Sequence, residues 1–431
     1  LSFARGNMQA HTDLNPVSKS RLLKLCCGFL FATTTLAPAA FAEDPMTKEV
    51  PGDNYDSSIR RSAFLTFRPR YKEALREKIK NRRAQLFWRL RFDMQSLQTD
   101  GNIQSQIAGA NVVGNFNYKF LENLTFESNV SVNLESGRSQ GIFGDQEPGS
   151  GFYPRSALVH FQPFDDVLSL KAGLIQQSFF RESLFVSNLP FLGLSETLNY
   201  KSERIDLSLR LQQLIPTSYT ISTRVGEKEA TPYFYTTGLE GMIRTSRNNF
   251  LLGSVTHYRY ESLPSVVAFN SFIYGNTVTN TDVNNAQFIY QFEGIMTQLA
   301  FEQKLSHSLS AQVQWHTIKN YEAPDDSGEA QVINLIVAND FGRWIVAGKY
   351  KNYFIESDAV PAAYNSHTLG HNNRIGHAYE IDLESKDWGV IFKGAYVQAD
   401  LLNVSPTRID GLQQDNQQTI YFAVETMYDF I

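Results

Sequence analysis

The most constraining feature of this chain is a two-residue alternation of apolar and polar side chains that returns, segment after segment, from about Ala84 onward. From Leu124 to Glu135, Leu124, Phe126, Val130, Val132 and Leu134 fall on one face, and Thr125, Glu127, Asn129, Ser131, Asn133 and Glu135 on the other. A period of two is the signature of a strand whose faces meet different surroundings. Ala84 to Ser96 repeats the pattern, setting Leu86, Trp88, Leu90, Phe92 and Met94 against Arg89, Arg91, Asp93 and Gln95. Thr419 to Phe430 does so with Ile420, Phe422, Val424, Thr426, Tyr428 and Phe430. Further segments fall at 110–120, 154–163, 167–176, 204–213, 218–226, 233–245, 249–260, 286–304, 309–321, 330–340, 343–354, 378–385 and 388–399, an expected total of sixteen.

The connections sort into two kinds. Tight ones are expected at 121–123, 164–166, 214–217, 246–248, 305–308, 341–342 and 386–387. Longer ones are expected at 97–109, 136–153, 177–203, 227–232, 261–285, 322–329, 355–377 and 400–417, strictly interleaved with the tight ones. Interleaving of this kind describes an up-and-down meander whose two ends differ, which a sandwich or propeller has no reason to produce. Beyond the first 42 residues no apolar run approaches the roughly 20 needed for a spanning helix, whereas strands of nine to twelve residues cross a bilayer when tilted and closed into a barrel. The fold class expected is therefore all-β: a transmembrane antiparallel barrel of about sixteen strands. A barrel of that size leaves an aqueous bore, and Asn115, Asn117, Gln312, Gln314 and His316 suit its lining. Aromatic residues near strand ends, Tyr118, Phe120, Phe161, Phe164, Tyr219, Phe250, Trp344, Trp388 and Phe430, suit interfacial girdles.

Residues 1–42 read as a secretory signal with upstream translated residues. Lys19, Arg21 and Lys24 precede an apolar run from Leu25 to Phe31, and Ala40-Phe41-Ala42 offers a cleavage site before Glu43. The only cysteines, Cys26 and Cys27, would leave with it, which excludes disulfides and thiolate chemistry from the mature chain. Residues 43–83 show no strand pattern and would form a basic N-terminal segment. Between Arg60 and Arg83 they carry ten Lys and Arg against Glu73 and Glu77, while residues 84–431 carry 24 Lys and Arg against 36 Asp and Glu. Attraction between the two would let the segment enter or cover the periplasmic mouth, with Tyr71, Leu75 and Ile79 on one face of a short helix; the same composition suits a disordered periplasmic leader or a chaperone-binding tail.

Inward by parity are Arg89, Arg91, Lys119, Glu127, Asp206, Arg210, Arg224, Lys349, Lys351, Glu380, Asp382 and Lys393, along with Glu135 and Glu384. Opposed basic and acidic walls would set a transverse field across the bore. The third long connection is too apolar for a segment in water: Phe179, Phe180, Leu184, Phe185, Val186, Leu189, Phe191, Leu192 and Leu194 lie within it. A second apolar stretch, Leu263 to Tyr274, would latch a neighbouring subunit, shield the mouth or pack on its own rim. His367, His371 and His377 fall in one loop and read as solvated. No P-loop, dinucleotide fingerprint, zincin motif or nucleic-acid module is present.

In its architecture and terminal aromatic strand, Ala84 to Ile431 resembles the Gram-negative porins, although Ile431 follows the final Phe430. By position the third connection resembles the porin loop that folds inward, which would put Arg181, Glu182, Glu196 and Lys201 at a constriction; the alternative reading makes Phe191 to Tyr200 the extension of a strand. The short Pro-Glu-Phe-Gly motif of the best-known porins is absent. The resemblance implies an outer-membrane channel for passive diffusion of small hydrophilic solutes and ions, surrounded by lipid and lipopolysaccharide and often homotrimeric. It also implies no cofactor, metal, enzymatic activity or nucleic-acid partner, and both barrel termini on the periplasmic side. A channel selective for a sugar, carboxylate, phosphate or polysaccharide, or a non-conducting adhesion barrel, would share the same pattern.

Overall fold

The computed structural model describes residues 83–99, 102–141, 144–146, 151–164, 167–177, 182, 184–186, 189–216, 229–246, 248–280, 282, 284–365, 369–403 and 416–429. The described strands are β1 (Ala84–Thr99), β2 (Asn102–Leu121), β3 (Leu124–Gly141), β4 (Gly144–Gln146), β5 (Gly151–Phe164), β6 (Leu168–Gln176), β7 (Pro190–Lys201), β8 (Ile205–Ile215) and β9 (Tyr233–Ser246). They continue as β10 (Asn249–Glu261), β11 (Phe292–Lys304), β12 (Leu309–Asn320), β13 (Glu329–Asp340), β14 (Trp344–Ile355), β15 (Arg374–Ser385), β16 (Val390–Leu401) and β17 (Gln417–Asp429). Every wall strand pairs antiparallel with its neighbours in the chain, and β4 is a three-residue strand folded back on the end of β3. β1 closes on β17 from Phe87↔Asp429 to Thr99↔Gln417. The result is a closed, sixteen-strand, up-and-down barrel with no free sheet edge, the condition lipid imposes on strands.

The alternation divides the wall as expected. On β17 Ile420 and Phe422 are exposed while Thr419, Ala423 and Glu425 are buried, and on β1 Phe92 and Met94 are exposed while Arg89 is buried. Aromatic side chains collect near the tight-turn end. Trp344 meets Trp388 edge-on with ring centroids 6.0 Å apart, Tyr118 meets Phe120 at 5.0 Å, and Phe120, Phe164 and Trp388 are exposed.

The wall departs from the sequence expectation where strands end. β1 and β2 run on through most of 97–109, and β11 begins at Phe292 rather than at 286. The main correction lies in 177–203, read as one long connection: Pro190–Lys201 is a full wall strand, β7. The tight turn expected at 214–217 is instead at 202–204, where Ser202 accepts from and donates to Ile205, and β8 continues to Ile215. The segment 218–226 lies outside the described residues. β8 pairs directly with β9, so the wall closes without it. Leu263 to Tyr274 is not an extended loop but the helix α1 (Ser265–Ile273), with Val266, Val267 and Phe272 buried. Its apolar residues pack within their own barrel, the plainest of the three readings. The signal, the basic segment to Arg82, its expected helix apart from Arg83, Tyr219, Phe430 and Ile431 lie outside the described residues.

Beneath this wall lies one apolar cluster. It joins Phe191 of β7, Leu214 of β8, Phe234 of β9, Tyr258 and Tyr260 of β10, Met296 of β11, Val332 of β13 and Tyr353 of β14. Three connections add Leu184, Phe185 and Val186, then Val266 and Val267, then Val360, Tyr364 and Leu369. Phe234 stacks on Tyr260 at 4.3 Å and Tyr364 meets Phe191 at 5.5 Å, so the connections and wall form a single packed body.

Candidate functional site: the inner wall and the β6–β7 connection

Inner-face side chains on strands i and i+1 stand close enough to bond directly, and here they do. Lys349 on β14 donates to Glu380 at 3.3 Å and lies 2.7 Å from Asp382 on β15; Lys393 on β16 lies 3.3 Å from Glu425 on β17. Glu425 also faces Arg91 of β1 at 3.7 Å, and Arg91 reaches Asp93 at 3.2 Å and the Tyr421 hydroxyl. Across the barrel Arg244 on β9 lies 3.4 Å from Asp206 on β8, and His160 on β5 lies 2.8 Å from Glu127 on β3. In these pairs opposite charges sit on neighbouring strands, or for Arg91 and Asp93 two positions apart on one strand, because register and parity place them together.

Lys119 and Arg210 lie on the inner face by parity, Lys119 opposite Thr125 and Arg210 opposite Thr197 and Gly238. The two residues expected at the constriction that fall in β7 are strand residues. Glu196 is exposed on the outer face between Leu194 and Leu198, opposite Leu170 and Leu211, and Lys201 ends the strand at the tight-turn side. The register thus removes Glu196 from the bore altogether. Arg181 and Arg224 lie outside the described residues.

Of the residues expected at a constriction, Glu182 is the one that the structure brings to inner-wall groups of distant strands. It lies in the β6–β7 connection, yet its Oε1 accepts from Lys351 of β14 at 3.0 Å and its Oε2 from Asn334 of β13 at 3.4 Å. The amide of Leu184 donates to the same carboxylate at 3.2 Å. Burial by itself would raise this carboxyl; the charges of Lys351 and His316, with the hydrogen bonds from Lys351 and Leu184, outweigh it and hold Glu182 below its ordinary value. The contact continues as a chain of amides. Asn334 donates to Gln314, Gln314 donates to Gln312 at 2.8 Å, and Gln312 reaches Glu302 at 3.5 Å. Sequence parity identified Gln312, Gln314 and His316 as inward, but not Asn334; the β12–β13 register, Gln314↔Asn334, is the signal that could have added it.

The histidines part company. His377 lies on the outer face of β15, bonded to the Tyr350 hydroxyl at 2.7 Å. His371 is buried rather than solvated: it stacks on Tyr274 at 3.9 Å and bonds to Asn365 Oδ1 at 2.7 Å. His367 lies outside the described residues. Among the described residues no cluster of His, Cys, Asp or Glu is suited to a metal ion.

No protein-family model matches this chain, and no curated protein matches it. Among solved structures, OprB of Pseudomonas putida, determined at high pH, is 9% identical over 83% of this chain and 97% of its own, with a TM-score of 0.52. A loop-L8 deletion mutant of OmpT, an outer membrane protein of Vibrio cholerae, is 9% identical over 80% and 99%, at 0.47. A triple mutant of the Rhodopseudomonas blastica porin is 10% identical over 80% and 100%, at 0.43. The fold is that of the outer-membrane porins: a closed, antiparallel barrel of sixteen strands.

Proposed function

We propose that this protein is an outer-membrane channel that passes small hydrophilic solutes and ions by passive diffusion along a restricted, water-filled bore. The observation that carries the reading is the Glu182–Lys351 contact: a side chain from the β6–β7 connection is bonded to inner-face groups of β13 and β14, seven strands farther round the wall. Such a contact supports an infolded third loop that narrows the passage. The inner charges Arg89, Arg91, Lys119, Glu127, Asp206, Arg210, Lys349, Lys351, Glu380, Asp382 and Lys393 would line the passage, as would Arg224. Their local pairing supports weak ion preference, since a neutralised wall attracts neither sign strongly. With an even strand number, both barrel termini would be periplasmic, and a homotrimer in lipid and lipopolysaccharide belongs to the same reading. Diffusion of this kind needs no cofactor, energy input or bond-making step.

A selective channel is favoured by a separate observation, the apolar cluster in which three connections join strands β5 to β16. A bore partly filled by its own loops discriminates by size and surface more than a wide one does. Single-channel conductance of the refolded mature chain in planar bilayers, with salt gradients and anionic, cationic and neutral solutes, tests both. Large ohmic conductance with weak preference supports general diffusion, small conductance blocked by one solute supports selectivity, and silence overturns the channel reading in favour of a display barrel.

A further inference from the structure

Three inner-face side chains near the tight-turn end form a relay for which passive diffusion has no use. Glu127 projects from β3, His160 from β5 and Ser169 from the second position of β6. His160 Nδ1 lies 2.8 Å from Glu127 Oε1, and His160 Nε2 lies 2.7 Å from Ser169 Oγ. An ionised carboxylate only accepts, so the imidazole proton belongs on Nδ1, which leaves the Nε2 lone pair to accept from the Ser169 hydroxyl. A hydroxyl in contact with a base, with that base oriented by an acid, is the arrangement that activates a serine nucleophile on unrelated folds. The register adds a cation. Lys171 stands directly opposite His160 in the register and two residues beyond Ser169 on the same face.

We propose that Ser169, His160 and Glu127 form a hydrolytic site for small carboxylic esters that enter the bore. Ser169 Oγ attacks the ester carbonyl carbon while its proton passes to His160 Nε2, and the resulting oxyanion is held by the Lys171 ammonium. Collapse of this intermediate breaks the bond to the alkoxy oxygen. The leaving alcohol takes the proton from Nε2, and an acyl group remains on Ser169. Water then attacks the acyl carbon, giving its proton to His160, which returns one to Ser169 Oγ as the acid departs. One ester and one water become one acid and one alcohol. Glu127 is a positioning residue, since it acts through the imidazole.

The test uses the full mature barrel in detergent and in vesicles, treated with an alkyl fluorophosphonate and assayed separately with p-nitrophenyl acetate. The expected result is a covalent adduct mapped by peptide mass to Ser169. Ester hydrolysis should vanish in Ser169→Ala and fall about 10³- to 10⁴-fold in Glu127→Gln, in barrels that keep their heat-resistant mobility in gels. A wild-type chain left unlabelled at Ser169, or labelled equally at other serines, overturns the proposal without reference to any variant. Conductance is recorded in parallel, so absence of a channel and absence of an esterase are separate results.

Discussion

Glu182 joins a connection to the wall through one carboxylate, which makes its charge the natural place to intervene. Asn334 donates to one oxygen of Glu182 and Leu184 to the other, so Glu182→Gln, with a single acceptor oxygen, keeps one of these bonds in place and leaves Lys351 without its counter-charge. The reversal potential in a salt gradient should move toward anions, with noisier open-channel current, and an unchanged reversal potential would show that Lys351 does not meet the ion path. Acid should do the same to the native protein. Because the folded-state value of Glu182 is depressed, the stability contributed by the pair is fully present above the ordinary value of 4.5 and is lost as pH falls through the depressed value. The shift should therefore begin only below about pH 4.5, and an onset near pH 6 would contradict the pairing. Gly173 is a second sensitive position. It holds a positive φ of 131°, and an added Cβ would stand 2.4 Å from the Ala157 carbonyl oxygen on the adjoining strand, directly across the register from Gly193. Gly173→Ala should cost about 1–3 kcal/mol, read as a lower urea midpoint, whereas Gly348→Ala, with nothing within 4 Å of its Cβ, should be neutral by comparison.

At the scale of the strand, β7 shows both what the sequence reveals and where it misleads. β3 and β17 were legible because every second residue on one face is apolar or aromatic. In β7 the outward row is Leu192, Leu194, Glu196, Leu198 and Tyr200, and the acid in its centre breaks the pattern that announces a lipid-facing strand. The strand forms because its neighbours β6 and β8 need their backbone partners more than the row needs to be uniform. The segment 218–226, with Tyr219, Ile221 and Val225 at even spacing, reads as a strand by the same rule, and so the expected total of sixteen survived one omission. The relay of Glu127, His160 and Ser169 was invisible for another reason. Its members lie 33 and 9 residues apart, and only the antiparallel pairing of β3 with β5 and of β5 with β6 brings them to adjacent places. A carboxylate on an outer face midway along a strand is unfavourable in lipid, by less than the roughly 2–4 kcal/mol of a basic residue at the midplane. Glu196→Leu should accordingly raise the unfolding midpoint in vesicles and do little in short-chain detergent. Equal effects in both would place this face away from the hydrocarbon.

For the molecule as a whole, the packed connections are expected to set the size of the passage. Phe185 is fully buried in the cluster that joins them to the wall. Phe185→Ala should cost about 3–5 kcal/mol of local packing and increase single-channel conductance as the connection loosens; lower stability with unchanged conductance would separate the cluster from the passage. Sequence pattern could foresee an apolar third connection but not its partners, since Lys351 and Asn334 are more than 150 positions away and meet it only after closure.

Closure itself has a temporal consequence. The seam between β1 and β17 joins positions about 330 residues apart, with Arg91 of the first strand bonded to Tyr421 and Glu425 of the last. Until the residues of β17 have been made, a nascent chain carries two unsatisfied borders, each able to recruit a stranger's backbone. Contacts this remote assemble slowly, so the interval between synthesis and sealing is when the polypeptide most needs an escort. A message cut short before the residues of β17 would yield a ribbon that cannot become a cylinder, and quality control could recognise it by those borders alone.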